Sequence, residues 1–144
     1  MTADGVLIVR HENEIGGTTD VAAHPAFAHR YTTKTIDGRT VTGWFTEDFT
    51  LAELRTLRAR ERLPDLRPAN TAFDGQEPIL TFEEVLDIAA AAGVGVAPEL
   101  KHPSYFAALG LPMEDVFVAT LQRRGLTGAG APILIQCFEV GALQ

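Results

Sequence analysis

The sequence predicts an α/β protein, and within that class a partial (β/α)8 TIM barrel of about three β/α units with a long inserted loop region. Three observations lead there. Val6-Leu7-Ile8-Val9, Val94-Gly95-Val96-Ala97 and Ile133-Leu134-Ile135 are short, solid apolar runs, the pattern of strands covered on both faces. Helical patterns lie between them, and strands alternating with helices argue a parallel sheet. Each run also ends in polar residues at its carboxyl end, where open α/β sheets and barrels keep their active sites. A whole barrel takes about 200 residues or more, and this chain has 144. Only part of a barrel is expected.

Taken in order, Asp4-Gly5 is a turn that opens the first run, which ends in Arg10-His11-Glu12-Asn13-Glu14. Residues 13–80 read largely as inserted loop and helix. The stretch from about Gly16 to Asp48 is rich in Thr, Gly, His and Asp, with a short hairpin expected around Ile36-Asp37-Gly38-Arg39-Thr40-Val41. Loops this long in compact domains are usually functional or inserted. Thr50-Leu51-Ala52-Glu53 is a capping box, whose hydroxyl and carboxylate satisfy exposed helix N–H groups. Leu51, Leu54 and Leu57 then share a face, and Pro64 stops the expected helix. Leu63 to Pro78 is a connector. Thr81-Phe82-Glu83-Glu84 repeats the capping box, followed by Val85, Leu86 and Ile88–Ala92, with Gly93 as the stop. A third helix opens at Pro112, turns Met113, Val116, Phe117 and Leu121 inward, and ends at Gly125.

Composition narrows the function classes. Apolar residues make up 46% and charged ones 22%, ordinary for a soluble domain with a real core. Twelve basic residues against nineteen acidic ones give a net charge of −7. Nucleic acid and anionic membrane surfaces need a cationic field, so neither is an expected partner. No apolar run approaches the ~18 residues of a membrane span. Met1–Gly5 offers neither the basic start nor the apolar stretch of a secretory signal. Cys137 is the single cysteine, so no intrachain disulfide or multi-cysteine metal site is expected.

The most informative candidate cluster is His11 with Glu99 and Lys101. Positions two apart in a strand point to the same face, so Glu99 and Lys101 project together. Their carboxylate and ammonium would suit a hard cation beside a phosphate-sized anion. Histidine is the side chain that changes charge near neutral pH, so His11 suits general acid–base work. On spacing alone, a surface Glu–Lys pair and a solvent histidine are the simpler reading. Other candidates carry less. His11-Glu12 does not extend to H-E-x-x-H, because position 15 is Ile. The glycine-rich Gly125–Gly130 follows a helix and not a strand, unlike a phosphate loop. His24 and His29 read as exposed loop residues, and Arg55, Arg58, Arg60 and Arg62 as the solvated face of one helix. Cys137 reads as a small buried residue, and Phe106 and Trp44 as core.

Five ordered segments resemble the glycerophosphodiester phosphodiesterase family, especially its longer bacterial periplasmic type. Asp4–Glu14 followed by Thr18-Thr19-Asp20-Val21-Ala22 is similar to the family's second histidine motif. Asp48-Phe49-Thr50-Leu51-Ala52-Glu53-Leu54 resembles its D-F-T-L-x-E-L, and Pro78–Leu86 its I-x-T-F-E-E-V-L helix start. Pro98-Glu99-Leu100-Lys101 resembles P-E-I/L-K, and Ile135-Gln136-Cys137-Phe138 resembles I-Q-S/C-F. The resemblance implies a (β/α)8 barrel that binds one divalent cation, Mg²⁺ or Ca²⁺. It also implies cleavage of a small-molecule glycerophosphodiester into an alcohol and glycerol 3-phosphate. Carried over by position, His11 is a catalytic histidine, Glu99 a metal carboxylate and Lys101 a substrate-binding residue that neutralises phosphate charge. The family's H-R-G histidine and E-x-D carboxylate pair have no counterpart here, so the chain is expected to begin just before the third barrel strand and to turn over little substrate alone. Family members of this type are often exported. A non-catalytic binding or assembly module of the same fold is the competing expectation, and open sheet edges are expected to favour self-association.

Overall fold

The computed structural model describes residues 1–144, which divide into two compact units. One comprises Thr2–Asp4 and Glu12–Ile79; the other comprises Met1, Gly5–His11 and Leu80–Gln144.

The unit of Glu12–Ile79 is built on an antiparallel hairpin. Strands β1 (Thr32–Ile36) and β2 (Arg39–Gly43) pair with Thr32 opposite Gly43 and Ile36 opposite Arg39. Asp37 and Gly38 join them with φ of 48° and 75°, the left-handed pair that a two-residue hairpin turn needs. The expected hairpin forms, and it extends beyond Ile36–Val41 at both ends. Helix α1 (Leu51–Leu54) has its capping box: Thr50 Oγ1 accepts from the Glu53 N–H, and Glu53 accepts from the Thr50 N–H.

The helix expected to continue toward Pro64 is a single turn. Thr56 and Leu57 donate their N–H groups to Glu53 and Leu54, a tighter i→i−3 winding that ends it. Beyond them Arg58 donates its backbone N–H to Asp20, and Ala59 bridges antiparallel to Thr19. Extended pairing has taken the backbone groups that a longer helix would use. The four arginines therefore share no helix face. The Arg58 guanidinium donates to the carbonyls of Arg55 and Leu57, at 3.0 and 2.8 Å, and Arg55 donates to that of Ile79 at 3.2 Å.

The expected loop is instead packed around fully buried side chains. Ile15, Val21, Phe45, Phe49, Leu54 and Leu57 are all sealed from solvent, and short 3-10 turns at Val21–Ala23, Pro25–Arg30 and Thr46–Asp48 carry the chain between them. Glu47 is buried as well, a costly state unless the carboxylate is satisfied. Asn13 Nδ2 donates to both its oxygens (3.1 and 3.2 Å), and Lys34 Nζ lies 3.0 Å from one of them and 2.7 Å from Asp48. Arg30 clamps Glu53 with both guanidinium ends and lies over the Phe49 ring at 4.7 Å.

In the other unit, the Val6–Val9 run is not a parallel-sheet strand. Ile8 bridges antiparallel to Thr81, Val9 donates to Leu80, and Phe82 donates to Leu7. Its backbone groups are spent on the segment that leads into helix α2 (Phe82–Ala92). That helix starts at the Thr81–Glu84 capping box and ends at Gly93 with φ of 67°, the left-handed stop that glycine allows.

Strands β3 (Glu99–Leu100) and β4 (Gln136–Cys137) then pair in parallel. Val96 bridges to Ile133 in the same register, and Val96→Pro132, Leu134→Val96 and Gln136→Pro98 backbone bonds complete the ladder. The expected strands at Val94–Ala97 and Ile133–Ile135 are displaced toward their carboxyl ends. Pro98 has no N–H to give, so the regular pairing starts only beyond it. Val94, Leu134 and Ile135 are exposed rather than covered on both faces.

Helix α3 (Pro103–Ala108), unforeseen in the sequence, begins on a proline, which suits a first helical turn. Helix α4 (Met113–Arg123) runs from Pro112 as expected and is followed by Gly125 at φ of 67°. Leu86, Leu100, Phe106, Met113, Phe117 and Leu121 form the core with Met1 and Phe82, and the Phe82 and Phe117 rings stack with centroids 5.1 Å apart. Glu83 pairs with Arg123 (2.7 Å) and Arg124 (3.2 Å), tying α2 to α4 at the surface.

The architecture is mixed α/β with two two-stranded sheets. One parallel pair stands where three parallel strands were expected, and no barrel is closed.

Two stability effects follow. Hydrogen bonding from Arg30, helped by the Thr50 N–H, pulls the Glu53 carboxyl down to about 2 from its ordinary 4.5. A depressed carboxylate stabilises fully above its unfolded value and loses that contribution as pH falls through the folded one. Glu53→Gln should lower the melting temperature at pH 7, and the gap to the wild type should close between pH 4.5 and about 2; a pH-independent gap would contradict this. Thr81→Ala removes one half of the second capping box and should cost about 1 kcal/mol in a chemical melt. An unchanged midpoint would show that the cap is dispensable.

Candidate functional site

The parallel pairing sorts side chains by alternation. Leu100 and Cys137, directly opposite each other, belong to the core beneath the helices. Glu99 and Gln136 are the preceding register partners and project to the opposite face. Lys101 and Phe138, two residues on from each and just past the strand ends, follow them. The contacts agree with this geometry. Lys101 Nζ lies 3.3 Å from Glu99 Oε1, both side chains about one-quarter exposed, and it sits 5.5 Å from the centroid of the exposed Phe138 ring. The end of the Gln136 side chain lies against the Glu99 carboxylate, and the surroundings assign its amide nitrogen to that side, since the oxygen there would face acceptors alone. So oriented, the NH₂ donates to Oε1 at 3.3 Å and Oε2 at 3.2 Å.

The chain around this face is held from several sides. Cys137 Sγ donates to the Leu100 carbonyl (3.2 Å) and accepts from the Glu139 N–H (3.3 Å); the lone cysteine packs against the core but is half-buried, not fully buried as expected. Glu139 accepts from the Ser104 N–H at 3.2 Å, joining the end of β4 to the start of α3. Immediately after Lys101, His102 takes φ of 56°, a left-handed conformation uncommon outside glycine. That sharp turn lets Pro103 bury and α3 begin.

Of the three residues singled out in the sequence, the structure brings Glu99 and Lys101 into contact. His11 lies in the same unit, exposed, in the bend that follows the Ile8 bridge. Its neighbour Arg10 is largely desolvated, and burial pushes its guanidinium pKa down. Sequence reasoning missed Gln136 and Phe138 as members of the site. The signal lay in register: once residue 99 pairs with 136, the i+2 rule places 101 and 138 beside them.

A hard cation takes six or more oxygen ligands, or octahedral geometry completed by waters and phosphate. No three His, Cys, Asp or Glu side chains of the chain are grouped so as to hold a metal ion. The one carboxylate of this site already faces an ammonium. The residues present do not make a complete cation site by themselves. What the arrangement offers is a positive charge beside a fixed carboxylate at the open end of a parallel pair.

The glycerophosphoryl diester phosphodiesterase family model matches residues 1–144. The chain belongs to that family. Among curated relatives, a glycerophosphodiester phosphodiesterase of Arabidopsis thaliana is 41% identical over 154 aligned positions, covering 97% of this chain and 41% of the relative. A glycerophosphodiester phosphodiesterase of Haemophilus influenzae is 27% identical over the whole chain, again 41% of its own length. The chain thus spans about two fifths of these family members. A crystal structure from Silicibacter pomeroyi DSS-3, described as a candidate member of the family, superposes with a TM-score of 0.63 at 20% identity. It covers 99% of this chain and 47% of that one, and at such identity it establishes the shared fold alone.

Proposed function

We propose that this chain is the portion of a glycerophosphodiester phosphodiesterase that supplies one wall of the phosphate site. The observation that carries this is the Glu99–Lys101 pair, in contact at the carboxyl end of a parallel strand pair, in a chain of this family. In the reaction, a water oxygen gives up a proton and bonds to phosphorus, the ester P–O bond breaks, and the departing alkoxide takes up a proton. The products are an alcohol and glycerol 3-phosphate. Lys101 offsets charge on the phosphate, His11 gives or takes a proton, and Glu99 would supply one carboxylate to a divalent cation whose remaining ligands these residues do not provide.

The fold reading that goes with this is part of a (β/α)8 barrel interrupted by an insertion at residues 13–80. The separate compact unit of Glu12–Ile79, with its own buried residues, supports the insertion. The free edge of β4 and the exposed Leu134, Phe138 and Val140 support self-association through the sheet. No helix is long and apolar enough to cross a membrane. The absence of a three-residue metal cluster favours a second reading for the isolated chain, a module that binds phosphate without turning it over.

Release of glycerol 3-phosphate from glycerophosphocholine, with Mg²⁺ or Ca²⁺ added, decides between the two. The isolated chain should stay far below the ~10 per second of an ordinary enzyme, while glycerol 3-phosphate should shift the backbone signals of residues 99–102 and 136–138 in the wild type but not in Lys101→Met. Normal turnover would show that the 144 residues complete the site. Ligand-induced shifts that survive in Lys101→Met would remove Lys101 from it.

A further inference from the structure

The Gln136 amide is the neutral polar group at this face, and its position has no packing explanation. Its residue is exposed, so truncating it opens no cavity. Yet it stands in register opposite Glu99 and reaches both carboxylate oxygens, at 3.3 and 3.2 Å. We infer that Gln136 is a positioning residue: it fixes the Glu99 carboxylate in the rotamer that faces Lys101, and through it the direction in which the ammonium is presented. The inference rests on the phosphate-site reading of Glu99 and Lys101.

The chemistry favours an amide over any charged donor. A carboxylate offers about four lone-pair positions, and Gln136 and Lys101 together leave some of them open. Lysine or arginine at position 136 would neutralise Glu99, and an acidic residue would repel it. Glutamine holds the carboxylate and leaves its charge intact, as a supporting donor does for a group that must serve a ligand. Its own geometry is fixed from the backbone, because the Gln136 N–H donates to the Pro98 carbonyl at 3.0 Å. The strand that carries the donor is thus bonded to the residue preceding the acceptor. Only the side chain beyond Cα needs to be placed, and the carboxylate places it. With the amide reversed, its carbonyl would face the carboxylate, acceptor against acceptor.

Two readouts on the 144-residue protein separate this from a structural role. In the first, side-chain couplings of Glu99 are measured by NMR in the wild type and in Gln136→Met, which keeps the length and removes the donor. The wild type should show a single Glu99 rotamer and the variant averaging, with backbone spectra otherwise superposable. The Gln136 side-chain NH₂ signals should in turn move in Glu99→Gln. In the second, the affinity for glycerol 3-phosphate should fall about 2- to 10-fold in Gln136→Met, the loss expected for one hydrogen bond. A Glu99 rotamer unchanged in Gln136→Met, or Gln136 NH₂ signals unchanged in Glu99→Gln, would overturn the proposal. So would equal glycerol 3-phosphate affinity, and that result would leave the phosphate site itself standing. If neither wild type nor variant binds glycerol 3-phosphate, the functional reading falls, and the rotamer measurement alone decides whether Gln136 orients Glu99.

Discussion

Everything at the candidate site depends on the parallel register that sets residue 99 against 136 and 100 against 137. A strand's side chains alternate with a period of two, so one shift in register would exchange its faces. As built, Leu100 and Cys137 enter the helix-covered core, while Glu99, Lys101, Gln136 and Phe138 stand on the opposite face. The register is held from both directions. Apolar burial of Leu100 beside Phe106 and Phe117 penalises the slipped alternative, and the thiol of Cys137 bonds across to the Leu100 carbonyl. Core packing and site geometry are two consequences of one pairing.

The two compact units use charge in different ways. In the Glu12–Ile79 unit, the buried Glu47 is matched by Asn13 and Lys34, and Glu53 by Arg30, so these charges are spent on structure. At the end of the parallel pair, Glu99 and Lys101 remain about one-quarter exposed, and their partners do not enclose them. A ligand can compete for such groups. The distinction lies in how firmly each carboxylate is held: Glu53, its side chain 31% exposed, is clamped by both guanidinium ends of Arg30 and by the Thr50 N–H, whereas Glu99, at 26%, meets the Lys101 ammonium at 3.3 Å.

What was legible in the sequence was local. Both capping boxes, the Asp37-Gly38 turn and the Gly93 stop depend on neighbours within a few residues, and all formed. The Glu99–Lys101 contact was legible for the same reason, being an i+2 relation. What failed required knowing a distant partner. Val6–Val9 has the composition of a buried parallel strand, yet its backbone pairs antiparallel with residues 80–82. The helix expected after Thr50 lost its later turns to pairing between Arg58–Arg60 and Thr18–Asp20. Gln136 stayed hidden because its role exists only across a strand pair separated by 37 positions in sequence.

A crystal structure of the chain with glycerol 3-phosphate is the most direct measurement of the central claim. The account predicts phosphate oxygens within hydrogen-bond distance of Lys101 Nζ, on the face shared by Glu99 and Gln136. Phosphate bound elsewhere in the chain, with Lys101 still turned to Glu99 alone, would contradict it.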